Sequence, residues 1–154
     1  MKLESEPTTR AVLPMTDYEH YEGATAGRLL LFDGSKPPTI PAEFVEALGT
    51  KAGLMVMVYK DKQIKVYPIQ TDDVYFLSVE IGKLTNDFLT RLSQVFRNVG
   101  LVDLLFSTGV CLRGTRCFYE CYFSPEQIVV SLDELKKSLE NLDGVKVVVL
   151  HKVT

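Results

Sequence analysis

Residues 74–100 read VYFLSVEIGKLTNDFLTRLSQVFRNVG. Tyr75, Leu77, Val79 and Ile81 recur at every second position, which predicts a strand over 74–81 with one apolar face. At Thr85 the period changes. Phe88, Leu89, Leu92, Val95, Phe96 and Val99 follow helical spacing, so a helix is expected over 85–99, closed by Gly100. Downstream, Leu101 to Val110 reads as a strand. Arg113-Gly114-Thr115 turns it into another, Arg116 to Phe123. Ser131 and Glu134 form a capping box. The helix it opens carries Leu132, Leu135, Leu139 and Leu142 on one face and is expected to end at Gly144. Val145 to Val153 is the last strand, with Val145, Val147, Val149 and Val153 alternating. The order is β-α-β-β-α-β, so the fold class is α+β with a ferredoxin-like plan over residues 71–154.

Upstream of this stretch the chain divides again. Gly27 to Phe32 reads as a strand stopped by Asp33-Gly34, and Lys36-Pro37-Pro38 as an extended link. Pro41 suits the first position of a short helix that ends at Gly49, with Phe44, Val45 and Leu48 on one face. Leu54 to Tyr59 and Gln63 to Tyr67 read as a hairpin bending at Asp61-Lys62. A unit of this size with one short helix buries little alone and is expected to pair or to lean on a neighbour. Residues 1–26 show no sustained period and read as an arm.

Composition narrows the function classes. The chain has 154 residues, 46% of them apolar and 24% charged, which excludes a wholly disordered chain. No run approaches the roughly 18 apolar residues of a membrane span, so no membrane partner is expected. The first residues lack the apolar stretch of a secretory signal, and a cytoplasmic location is the expectation. The formal charge of −3 disfavours a generally basic nucleic-acid binder. The charge is uneven, however: residues 27–70 carry six Lys or Arg against four acids, while the flanking parts are both net acidic. Two histidines and three cysteines leave little for metal or His-based catalysis. No enzyme, no cofactor and no metal is expected.

The residues of the third part resemble an ACT domain. The likeness rests on the strand-to-helix loop Gly82-Lys83-Leu84 after Val79-Glu80-Ile81, on the long first helix, and on Gly100-Leu101-Val102-Asp103-Leu104 after it. The proline that often precedes the family's glycine is Ile81 here. The resemblance implies a non-catalytic domain that binds an amino acid or a similar metabolite where two domains pair. It implies a ligand site at Gly82, Lys83, Leu84, Thr85, Asn86 and Asp87. Chemically, a glycine lets a ligand approach the backbone, and the free N–H groups opening a helix receive a carboxylate. Asp87 is placed to pair with an α-amino group. The plainer reading is that Thr85 and Asn86 cap the helix and Gly82 makes the turn.

Residues 27–70 resemble a swapped-hairpin domain of the AbrB type, on Thr39-Ile40-Pro41, the helix Ala42 to Leu48, Gly49 and Lys51-Ala52-Gly53. The resemblance implies an interlaced homodimer or higher homo-oligomer and contact with DNA. Where family members often carry helix arginines, this chain has Val45 and Glu46. Among the basic residues left, Arg28, Lys36 and Lys51 are the candidate DNA contacts, and dimerisation without DNA is the alternative.

Together these readings give a ligand-responsive regulator, possessing a sensor after a dimerising module that contacts DNA. The alternative is a non-catalytic subunit that binds and controls a metabolic enzyme in trans. Cys111, Cys117 and Cys121 are expected to be three buried thiols, and a Cys111–Cys117 bridge stays open if the turn between them has an odd length. His151 is expected with Val149 and Val153, inward or at an interface.

Overall fold

The computed structural model describes Leu30, Pro37 and residues 39–154. The expected arm, most of the expected strand over 27–32, Arg28 and Lys36 lie outside the described residues. The chain divides into two compact units between Gln70 and Thr71.

In the first unit, α1 (Ala42–Leu48) precedes the antiparallel hairpin of β1 (Ala52–Val58) and β2 (Gln63–Ile69). Pro41 stands at the N-cap, with ψ 139°, one position before the expected one. Lys62, with φ 53°, closes the hairpin turn. Leu54, Val56 and Ile69 are buried, whereas α1 buries no residue. Phe44, Val45, Met55, Met57 and Ile64 are all exposed.

The second unit runs β3 (Tyr75–Ile81), α2 (Asn86–Val99), β4 (Phe106–Leu112), β5 (Arg116–Phe123), α3 (Leu132–Glu140) and β6 (Val145–Lys152). Its four strands form one antiparallel sheet in the order β4-β5-β3-β6. This is an α+β unit whose element and strand order are compatible with a ferredoxin-like arrangement. Both helices contribute to one core. Phe88, Leu92, Phe96 and Val99 of α2 and Leu135 and Leu139 of α3 pack with Leu77, Val79, Ile81, Cys117, Cys121 and Phe123 of the sheet. Thr85 caps α2 by accepting from the Phe88 N–H at 3.1 Å, and Ser131 and Glu134 complete the capping box of α3.

Three expectations are corrected. The strand expected over 101–110 begins only at Phe106. The Gln127 side chain occupies the backbone that would have entered the ladder. Its Oε1 accepts from the Val102 and Asp103 N–H groups at 3.0 and 2.8 Å, and its Nε2 donates to the Asp103 and Ser124 carbonyls. Helix α3 ends at Glu140 rather than Gly144, because Leu142 and Val145 N–H groups turn back onto the Leu139 and Leu142 carbonyls. The alternation of β6 reverses part-way. Val145 opposes Ile81 and Val147 opposes Glu80, so Lys146 is the extra residue of a bulge. Beyond it Val148 and Leu150 face the core, while Val147, Val149 and His151 turn to the outer face of the sheet. His151 therefore points away from the core, its ring 5.1 Å from Phe76.

The outer face also carries Phe106, Tyr122 and Phe118, with the Arg116 guanidinium 5.0 Å over the Phe118 ring and bonded to Glu80 at 2.7 Å. That bond holds the Glu80 carboxyl below its usual range. Glu120, opposite Ser78, behaves oppositely: burial pushes its pKa up, and the Ser78 hydroxyl only partly counters this. A folded-state pKa above the unfolded value means that the charged carboxylate opposes folding at neutral pH. Glu120→Gln should thus stabilise at pH 7, by no more than about 1 kcal/mol given solvent screening. The gain should fade as pH falls through the folded pKa towards the unfolded value near 4.5. Urea titrations at the two pH values read this directly, and a loss of stability at pH 7 would refute it.

The three-residue turn Arg113–Thr115 places Cys111 directly opposite Cys117. A disulfide joins them, and Cys121 is the buried free thiol. Three buried thiols were the expectation, but strand pairing brings the first two face to face and leaves Cys111 exposed.

Candidate functional site

The loop between β3 and α2 lies at the same end of the sheet as the loop between α3 and β6, because β3 and β6 are neighbours. A cavity of about 350 Å³ opens between the two loops. Gly82, Lys83 and Thr85 line one side, Asp143, Gly144 and Lys146 the other, with Ile81, Phe88 and Arg91 between.

The loop is held from below by Leu84. Its side chain packs against the core and reaches Gly109 on β4, where a Cβ would lie only 2.5 Å from Leu84 Cδ2. Only glycine at 109 leaves room for this leucine in its present position. Leu84 is therefore an anchor of the loop rather than a lining residue.

Lys146 is placed by the bulge. Its Cε and Nζ lie 3.8 Å from where a Cβ on Gly82 would stand, so the ammonium lies alongside the Gly82 backbone. Arg91 donates to the Asp143 carbonyl at 3.4 Å and so ties α2 to the far loop. Its Nε lies 3.2 Å from Asp87 Oδ2, a contact of charges without hydrogen-bond alignment.

Of the residues expected at this site, Gly82, Lys83 and Thr85 line the cavity. Thr85 does cap α2, as the plainer reading has it, yet it also faces the cavity. Asn86 turns to another part of α2, beside a shallow depression with Leu89, Thr90, Ser93 and Arg97. Asp87 is 82% exposed and engages Arg91 outside the lining. Arg91, Asp143, Gly144 and Lys146 are cavity residues that sequence reasoning did not select. The spacing of Asp87 and Arg91, one helical turn apart, was a usable signal for Arg91. Lys146 gave none, since only the bulge aims it.

Of the candidate DNA contacts, Lys51 is described and lies exposed just before β1. No helix among the described residues is long and apolar enough to cross a membrane. Among them, no cluster of three or more His, Cys, Asp or Glu is placed to hold a metal.

No family model matches the chain, and no curated protein matches it. Among solved structures, it is similar to an uncharacterized protein from Thermotoga maritima. The identity is 15%, over 53% of this chain and 96% of the other, with a TM-score of 0.38. Likeness at this level assigns no function.

Proposed function

We propose that the chain is a ligand-responsive regulatory protein in which residues 71–154 form an ACT-like, ferredoxin-like sensor. The ligand is an amino acid or a related small metabolite with a carboxylate, received at the Gly82 loop. The observation that supports this most is the cavity at that loop, beside the opening of α2 and within a β-α-β-β-α-β unit. Residues 27–70 act as the AbrB-like module that pairs two chains. The exposed apolar residues of α1 and the hairpin, Phe44, Val45, Met55 and Met57, favour a second chain there. DNA contact through Lys51, Arg28 and Lys36 belongs to the same reading. Ligand binding regulates by favouring one arrangement of the dimer over another.

Thermal-shift measurements with each common amino acid and its deaminated acid test the sensor. One ligand is expected to raise the melting temperature, and Gly82→Asp to abolish the shift by placing a carboxylate beneath Lys146. No shift with any of these compounds would end the sensor reading. The DNA part is tested separately, by the salt dependence of binding; absence of binding at low salt removes it.

A second reading is a non-catalytic subunit that docks on an enzyme. The outer face of the sheet favours it, since Leu112, Val147 and Val149 are exposed there.

A further inference from the structure

The cavity at the Gly82 loop has a charge pattern that a zwitterion does not match. Three cationic side chains, Lys83, Arg91 and Lys146, line it against one acid, Asp143. Asp87, the carboxylate that sequence spacing offers to an α-ammonium group, lies off the lining and is engaged by Arg91. Neither Lys83 nor Lys146 has an ion-pair partner within 4.0 Å among the described residues. Glu80 feels the Lys146 charge, but its carboxylate is bonded by Arg116.

We infer that the ligand of this cavity is a small acid with two anionic groups and no cationic one. The inference rests on the reading of the Gly82 loop as a ligand site and narrows its ligand class. With Arg91 engaged by Asp87, the lysines Lys83 and Lys146 are left without ion-pair partners among the described residues, so an α-ammonium group would sit beside like charges, whereas two anionic groups give each lysine a partner. The volume of about 350 Å³ suits a small metabolite. Lys146 is the distinguishing residue. It is the extra residue of the β6 bulge, and its ammonium lies beside Gly82 at the cavity. The second anionic group is a carboxylate or a phosphate monoester, since both present oxygens to an ammonium in the same way.

Isothermal titration calorimetry on the full chain distinguishes these classes. The probes are succinate, 3-phosphoglycerate and alanine. Succinate or 3-phosphoglycerate is expected to bind at least roughly tenfold more tightly than alanine. The tighter of the two identifies the second group. Lys146→Gln should weaken that binding by roughly tenfold, and added salt should weaken it in the parent chain. Lys137→Gln, on an exposed part of α3, should leave it unchanged. Tighter binding of alanine would overturn this inference and leave the sensor reading standing. Acid binding that Lys146→Gln does not alter would overturn the assignment to this cavity. Binding of none of the three probes would overturn the inference, and silence of the thermal-shift series as well would remove the sensor reading with it.

Discussion

Gly100→Ala is expected to lower the stability of the second unit by about 2–4 kcal/mol. Gly100 follows α2 with φ +83°, a left-handed conformation that costs a residue with a Cβ about 1–2 kcal/mol. The remainder comes from a collision. A Cβ here would lie 2.7 Å from the Gln127 carbonyl oxygen, which belongs to backbone and cannot rotate aside. That segment is fastened to the end of α2 by the Val129 N–H bond to the Val99 carbonyl at 2.9 Å. Moving it loosens the grip of the Gln127 side chain on residues 102 and 103, at about 1 kcal/mol for each bond lost. Urea unfolding followed by circular dichroism measures the loss; the chain has no tryptophan to follow instead. A variant with the parent's midpoint would show that the contact relaxes without cost.

Phe123→Ala should cost about 3–5 kcal/mol. The side chain is fully buried at the end of β5, in the core cluster to which both helices contribute, with Tyr75 stacked beside it at a centroid distance of 6.3 Å. Removing the ring gives up its transfer energy and leaves a cavity that close packing refills only in part. The expected fall in melting temperature is roughly 12–40 °C for a unit of this size, residues 71–154. Phe118→Ala, on the outer face of the same strand, provides the contrast, because its ring is only half-buried. Equal losses from the two substitutions would mean that the outer face is as tightly covered as the core.

Much of the second unit was readable in the chain. The alternation of Leu77, Val79 and Ile81 and the helical spacing of Phe88, Leu92, Phe96 and Val99 each describe one element buried on one side, and burial of that kind leaves a direct imprint on sequence. Features set by two elements at once were not readable. Gln127 is an ordinary polar residue until the fold brings it to the backbone of residues 102 and 103. The valines of β6 occupy both faces, so their pattern could not reveal that the bulge reverses the inward set at Lys146. The candidate site divides in the same way. Gly82 and Thr85 announce a strand-to-helix loop by residue type, and both line the cavity. Asp87 was selected on its charge alone, and Arg91, a turn away on the same helix, takes that charge. Lys146 arrives from strand β6, about sixty residues further along, by a backbone irregularity that no local pattern encodes.

The cysteines supply an intrinsic reporter of motion. With Cys111 and Cys117 joined, Cys121 is the chain's single reactive sulfur, and it lies in the central strand pair with its pKa pushed up to about 12 by burial. At neutral pH that thiol is protonated and beyond the reach of a dissolved disulfide reagent. Modification must therefore wait for the core that covers β5 to open. Under conditions where reclosing outruns the reaction, the labelling rate measures the free energy of that opening, with no probe introduced into the protein. A bound acid that draws the β3–α2 and α3–β6 loops together would slow the same reaction, so ligand occupancy at one end of the sheet becomes a rate that can be timed at a sulfur in its middle.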